Sequence, residues 1–211
     1  SPRYSADVAG ATIGCALGAV SLEFDGVDDW VQVHSAFVLN GPATDATLEF
    51  WMKAQVQGHR AVFWTNDPLF GDWNRFHLFT GTGTELGLDY RGPDGTLHTL
   101  LAGDDTFSFP ADTWTHVAVT RVVDSASQHT YRFYRNGVLV HTAVDANPSL
   151  PQGQTWTIAG RPPPHQRFVG TLDEIRMTKS ALSPDEFLSA LPPSTYCLAK
   201  TNSLGCTPTI G

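Results

Sequence analysis

The strongest constraint on this chain is an alternation of apolar and polar residues with period two, cut by turn residues at short intervals. In residues 46–53, Leu48, Phe50 and Met52 fall on one side, with Thr47, Glu49, Trp51 and Lys53 on the other. That is the pattern of a strand with one buried face. Residues 114–123 repeat it, with Val117 and Val119 opposed to His116, Ala118 and Thr120. Runs at 20–24, 30–34, 61–65, 75–80, 85–90, 96–101, 130–135, 138–144, 155–159 and 168–177 also read as strands. Asn136-Gly137, set between two such runs, is a strong hairpin signal because both residues tolerate positive φ. Pro93-Asp94-Gly95 predicts a second tight turn. About a dozen short strands punctuated in this way predict two packed antiparallel sheets.

One helix is expected. Ser183-Pro184-Asp185-Glu186 offers an N-cap Ser, a Pro at the first helical position and a Glu at the third, followed by Phe187-Leu188-Ser189-Ala190-Leu191. Pro192-Pro193 would end that helix and divides the chain into a sandwich over 1–193 and a tail over 194–211. In the tail, Cys197 and Cys206 close a short polar loop, which suggests a local disulfide and an oxidising compartment. Cys15 reads as a small buried hydrophobe, with a rearranged pairing to a tail cysteine as the alternative. The chain begins at Ser1 without an apolar leader, as a mature or trimmed chain would. No run of apolar residues is long enough to span a bilayer. Asp and Glu number 21 against 13 Lys and Arg, a formal charge of -8, which opposes binding to nucleic acid or an anionic membrane.

Several segments are familiar in kind. Leu22-Glu23-Phe24-Asp25-Gly26-Val27-Asp28-Asp29-Trp30-Val31, then Thr47-Leu48-Glu49-Phe50-Trp51, Trp114-Thr115-His116-Val117-Ala118-Val119-Thr120, Tyr131-Arg132-Phe133-Tyr134-Arg135-Asn136-Gly137 and Gly170-Thr171-Leu172-Asp173-Glu174-Ile175 occur in order. Together they resemble the laminin-G-like, concanavalin A-type jelly rolls of secreted bacterial proteins. The resemblance covers about residues 20–190. It implies an all-β, two-sheet antiparallel jelly-roll sandwich with one short C-terminal helix, its first and last strands adjacent. It further implies recognition or adhesion at an extracellular surface, without fixing a ligand, because this fold hosts lectins, hydrolases and spacers alike.

Catalytic signatures are missing. Glycosidases on this fold carry an E-x-D-x-x-E type strand, and no strand here has that spacing. Asp173-Glu174 are adjacent and so point to opposite faces of a strand. No G-x-S-x-G, H-E-x-x-H or P-loop motif is present. The eight histidines show no ligand-like pair, and most of them read as exposed strand or loop residues.

Two binding sites are expected instead. Asp173 has the parity of Val169, Ile175 and Met177, an apolar side where a carboxylate needs compensation. With Asp25, Asp28 and Asp29 brought beside it by adjacent terminal strands, it could complete an oxygen-ligand site for a structural calcium. The resemblance implies the same, since many relatives on this fold hold a structural calcium between these two segments. The alternative is that Asp25 and Asp173 merely accept backbone hydrogen bonds in a tight corner, while Asp28 and Asp29 are solvated turn residues. The second site is the stretch from Trp64 to Arg75. Its Trp64, Asn66, Asp67, Asp72, Trp73, Asn74 and Arg75 combine flat aromatic faces with groups that bind sugar hydroxyls. A Trp at a strand end is, alternatively, ordinary core. The reading is therefore a non-catalytic, extracellular carbohydrate-binding or adhesion module stabilised by calcium, its partner a glycan or an extracellular protein. The other readings are a structural or self-assembling subunit, and an atypical glycoside hydrolase.

Overall fold

The computed structural model describes residues 3–5, 21–33, 44–55, 58–66, 76–91, 95–146, 148, 155–160 and 167–188. Their strands are β1 (Arg3–Ser5), β2 (Ser21–Asp25), β3 (Val31–Val33), β4 (Ala46–Ala54), β5 (Arg60–Asn66), β6 (Phe76–Thr80), β7 (Leu86–Arg91), β8 (Leu97–Ala102), β9 (Thr115–Ser125), β10 (Gln128–Arg135), β11 (Val138–Ala146), β12 (Thr155–Ile158) and β13 (Val169–Thr178). A seven-stranded sheet runs β1-β2-β13-β4-β9-β10-β11, and a six-stranded sheet runs β3-β12-β5-β6-β7-β8. Every ladder between named strands is antiparallel. The predicted sandwich is there, and β2 pairs with β13, so the first long strand and the last are neighbours.

The alternation dictates the core. Leu48, Phe50, Met52, Val117, Val119, Tyr131 and Phe133 from one sheet meet Phe63, Phe76, Leu78, Leu86, Leu88 and Trp156 from the other. Asn136 and Gly137 take φ of 50° and 77° at the β10–β11 turn, the conformation that the Asn-Gly pair was expected to adopt. β1 has no counterpart among the strands expected from sequence, because three residues carry too little periodicity to register.

Three expectations are corrected. First, β4 is buried on both faces. Of its outward residues, Thr47 and Glu49 lie under the chain that follows β13, accepting the Leu182 and Leu188 N–H groups, and Trp51 packs edge-on to His116. Secondly, the C-terminal helix is one 3-10 turn, Pro184–Glu186. Its start signal is real: Glu186 Oε2 accepts hydrogen bonds from the Ser183 N–H at 2.9 Å and from its hydroxyl at 2.7 Å. The backbone then turns extended at Phe187 (φ -67°, ψ 147°). That turn sends the ring edge-on to Tyr134, with Ala118 beside it, where burial of a Phe side chain is worth about 1.5–3 kcal/mol. Thirdly, His77, His116 and His129 are buried rather than exposed. The proposed tail with Cys197 and Cys206, and Cys15 as well, lie outside the described residues.

Candidate functional site

β2 ends at Asp25, and the chain turns towards β3 through Gly26-Val27-Asp28-Asp29. Asp25 Oδ1 accepts the Val27 N–H at 2.7 Å, which sets the turn. Gly26 has φ of 77°, and a Cβ there would come within 2.3 Å of Val169 Cγ2 on β13. Only glycine allows both the backbone conformation and the close approach of turn to strand. The turn groups Asp25, Asp28 and Asp29, one carboxylate oxygen from each lying within 4.8 Å of the others. Asp25 and Asp28 are exposed and Asp29 is buried. Two charges this close repel by about 1 kcal/mol in water and more where solvent is thinned.

The chemistry of this corner matches a hard cation. Two oxygens that share one calcium, each about 2.4 Å from it, are at most about 4.8 Å apart, a limit that the three carboxylates meet. Asp173 does not join them. On β13 it is Val169 that stands opposite Asp25, while Asp173 stands opposite Trp51 of β4. Its Oδ1 accepts the Glu174 N–H at 2.8 Å. The parity that placed Asp173 on the core side fails at a β-bulge. The β13–β4 register shifts between Asp173 and Arg176, and Glu174 has a φ of 48°. The extra residue reverses the faces, so Leu172 before the bulge and Ile175 and Met177 after it all pack inward. Asp173 is left on the outer face with Trp51.

Of the sugar-binding candidates, Trp64 is placed in the body of β5, opposite His77 of β6 and Thr157 of β12. It is 1% exposed and offers no ring face for stacking. Asn66 ends β5, its backbone opposite Thr155. Asp67, Asp72, Trp73, Asn74 and Arg75 lie outside the described residues. β5 and β6, which flank those residues in sequence, are paired up to Thr65 and Phe76.

Beside Trp64, the outer face of the six-stranded sheet carries a stack not foreseen in the sequence. His59 lies flat on Phe79, with ring centroids 4.2 Å apart and planes 7° apart, and His77 lies 4.7 Å from the same ring. His77 Nδ1 is 3.5 Å from Asp89 Oδ1. Burial and the neighbouring His77 hold the pKa of His59 below its ordinary value, partly offset by Asp89. The neutral ring is thereby favoured for stacking. The signal was present as His77 and Phe79 at alternate positions of one strand, but His59 joins them only through strand pairing.

The outer face of the other sheet holds the most completely buried carboxylate cluster. Glu49 is 0% exposed. Its Oε2 meets His116 Nε2 at 3.1 Å and accepts the Leu188 N–H at 2.8 Å. Arg176 Nε and Nη2 both reach its Oε1. A third buried carboxylate, Asp145 of β11, meets His98 Nδ1 at 2.8 Å and accepts from the Tyr90 hydroxyl, tying the edges of the two sheets together. Both groups are occupied in holding strands and segments together.

A laminin-G-like family model, described as the concanavalin A-like lectin/glucanases superfamily, matches residues 25–187. No curated protein sequence matches the chain. Among solved structures, domain 4 of AbnA, an extracellular GH43 arabinanase from Geobacillus stearothermophilus in complex with arabinotriose, is similar at 16% identity and a TM-score of 0.60. That match covers 88% of this chain and 79% of the other. The CBM40 of the Ruminococcus gnavus IT-sialidase, bound to α2,3-sialyllactose, is similar at 18% identity and a TM-score of 0.53, over 68% of this chain and 80% of the other. The botulinum neurotoxin serotype G binding domain gives a TM-score of 0.64 at 10% identity. There the match covers 95% of this chain, which spans only 45% of the toxin domain. These likenesses are to the fold. With the family match over most of its length and the two-sheet topology, the chain belongs to the concanavalin A-like lectin/glucanases superfamily.

Proposed function

We propose that this chain is a non-catalytic, extracellular glycan-binding module whose β2–β3 corner binds calcium through Asp25, Asp28 and Asp29. The observation that carries the calcium half is the convergence of those three carboxylates on one turn against β13. Calcium would neutralise their mutual repulsion and pin the turn to the last strand. The glycan half is supported by the family and by the sugars named in two of the similar structures. Residues 67–75, which include Trp73 and Asn74, connect in sequence the paired strands β5 and β6. Binding rather than catalysis is favoured by the buried carboxylates, because Glu49 and Asp145 are held by basic and hydroxyl partners inside the protein. No helix among the described residues is long and apolar enough to cross a membrane.

The test is binding to a panel of extracellular polysaccharides, once with calcium and once after EDTA, for the native chain and for Trp73→Ala. Calcium-dependent binding that falls in the variant supports both halves. Binding that ignores EDTA overturns the calcium role in recognition. Absence of binding to every glycan under both conditions overturns the glycan role.

A further inference from the structure

β9, β10 and β11 lie side by side in the seven-stranded sheet, and their outer face carries an arginine without a partner. Of the arginines on these strands, Arg121 donates to the Thr44 carbonyl and Arg135 to the Ser108 carbonyl. Arg132, half-buried on β10, donates to nothing among the described residues. Tyr131 and Phe133 on either side of it are core residues, so alternation turns Arg132 outward. The register sets it between two hydroxyls, with Thr120 of β9 directly opposite on one side and Thr142 of β11 on the other. Opposed residues have Cβ atoms about 4.5–5.5 Å apart, so the three side chains form one row. Thr120 is 2% exposed, yet among the described residues no hydrogen bond engages its hydroxyl or that of Thr142. A nearly buried hydroxyl left unmet is unfavourable unless a group from outside the chain meets it.

The carboxylates around this row are engaged elsewhere. Asp124 of β9 accepts from the Thr130 hydroxyl, and Asp45 accepts the Val123 N–H. Asp145 of β11 is turned inward to Tyr90 and His98. Asp104 acts on His141, which lies on the opposite side of β11 from Thr142. Glu49, two strands away on the same face, is held by Arg176 and His116. We propose that Arg132, with Thr120 and Thr142, binds the carboxylate of a uronic-acid sugar. This site rests on the glycan-binding role proposed for the chain and adds the class of glycan. A planar guanidinium meets a planar carboxylate through two parallel N–H···O bonds. The hydroxyls of Thr120 and Thr142 stand on either side to meet those of the sugar. In the adjacent row Val122 and Val144 flank Thr130 on the same face, an apolar surface for the C–H side of a sugar ring. The net charge of -8 does not forbid an acidic ligand. Exposed charges more than about 8 Å away are largely screened at physiological salt, whereas this pair forms at contact.

Calorimetric titration of the full chain with a short oligogalacturonate and with its methyl ester, each with calcium and after EDTA, tests this. The ester keeps the sugar hydroxyls and loses only the charge. The acid is expected to bind about tenfold more tightly than the ester or better, and Arg132→Gln should remove that preference. Arg91→Gln, which takes the same charge from the other sheet, should leave it intact. Because Arg132 has no partner inside the chain, Arg132→Gln should melt with the native protein. A clear fall in melting temperature would make the arginine structural and overturn the site. Equal binding of acid and ester overturns the acidic class while leaving a glycan-binding module standing, as does binding of neither when neutral polysaccharides bind. Binding of no glycan at all overturns both. A preference that needs calcium and survives Arg132→Gln puts the carboxylate at the Asp25 corner and overturns the Arg132 site.

Discussion

Glu49 and the Asp25 corner show two fates of carboxylates on the same seven-stranded sheet. Glu49 sits in the middle of β4, wholly buried, and its oxygens meet an imidazole, a guanidinium and a backbone N–H. Asp25 and Asp28 stand exposed at the end of β2 within 4.8 Å of a third carboxylate. The first arrangement is complete within the chain: desolvation is offset by partners, and the cluster welds residues 182–188 to the sheet. The second gathers like charge at the surface, where a cation from outside the chain would lower the energy most. A buried acid with a full partner set marks architecture, whereas the gathered acids of the corner are where we propose a ligand.

The sharpest way to break this contrast is to remove Glu49. Glu49→Ala leaves His116 buried with neither ring nitrogen bonded and strands the Leu188 N–H, and should cost about 3–5 kcal/mol. Urea denaturation reads the loss; a change within 1 kcal/mol would mean that the cluster is not structural. Phe187→Ala attacks the same weld from its apolar side, removing a ring packed on Tyr134 and His116. It should cost about 3 kcal/mol, measured the same way. At the other site, calcium at a hundredfold excess over its Kd should stabilise the chain by about 2.7 kcal/mol. Thermal melts with and without EDTA would show it, and Asp28→Ala should abolish the gain. Without calcium, Asp28→Asn should be neutral or stabilising by a few tenths of a kcal/mol, because it relieves repulsion at an exposed position. A clear destabilisation would show instead that Asp28 is tied into the fold as Glu49 is.

The smallest effect concerns His59. Its folded pKa lies below the unfolded value near 6.5, so the unfolded chain takes up a proton first as pH falls. The contribution is full above pH 6.5 and is lost as pH falls through that value towards the folded pKa. His59→Gln should flatten the melting temperature across that window, relative to the native chain. An unchanged profile would deny that the stack keeps the ring neutral.

Much of this molecule was written in local pattern. Period two placed Leu48, Phe50, Val117 and Val119 inside, and Asn136-Gly137 made its hairpin, because side-chain direction and turn conformation are properties of a few neighbouring residues. The acidic turn was equally legible, since Asp25, Asp28 and Asp29 are close in sequence and Gly26 bends the chain between them. Asp173 was misplaced by the same arithmetic that succeeded elsewhere. A single bulge residue, Glu174, reverses parity, and its cause lies in the fit of β13 against β4 rather than in β13 itself. Tertiary structure alone decided the fates of Glu49, which read as the outward side of a strand with one buried face, and of Trp64, which read as a sugar-binding candidate or as ordinary core. A strand knows which of its faces a residue occupies but not what will cover that face, and here the chain after β13 returns, more than a hundred residues later, to cover Glu49. The sequence by itself determined the strands, their faces and the acidic turn. Long-range pairing decided which of those faces became buried and which carboxylates are held inside the protein.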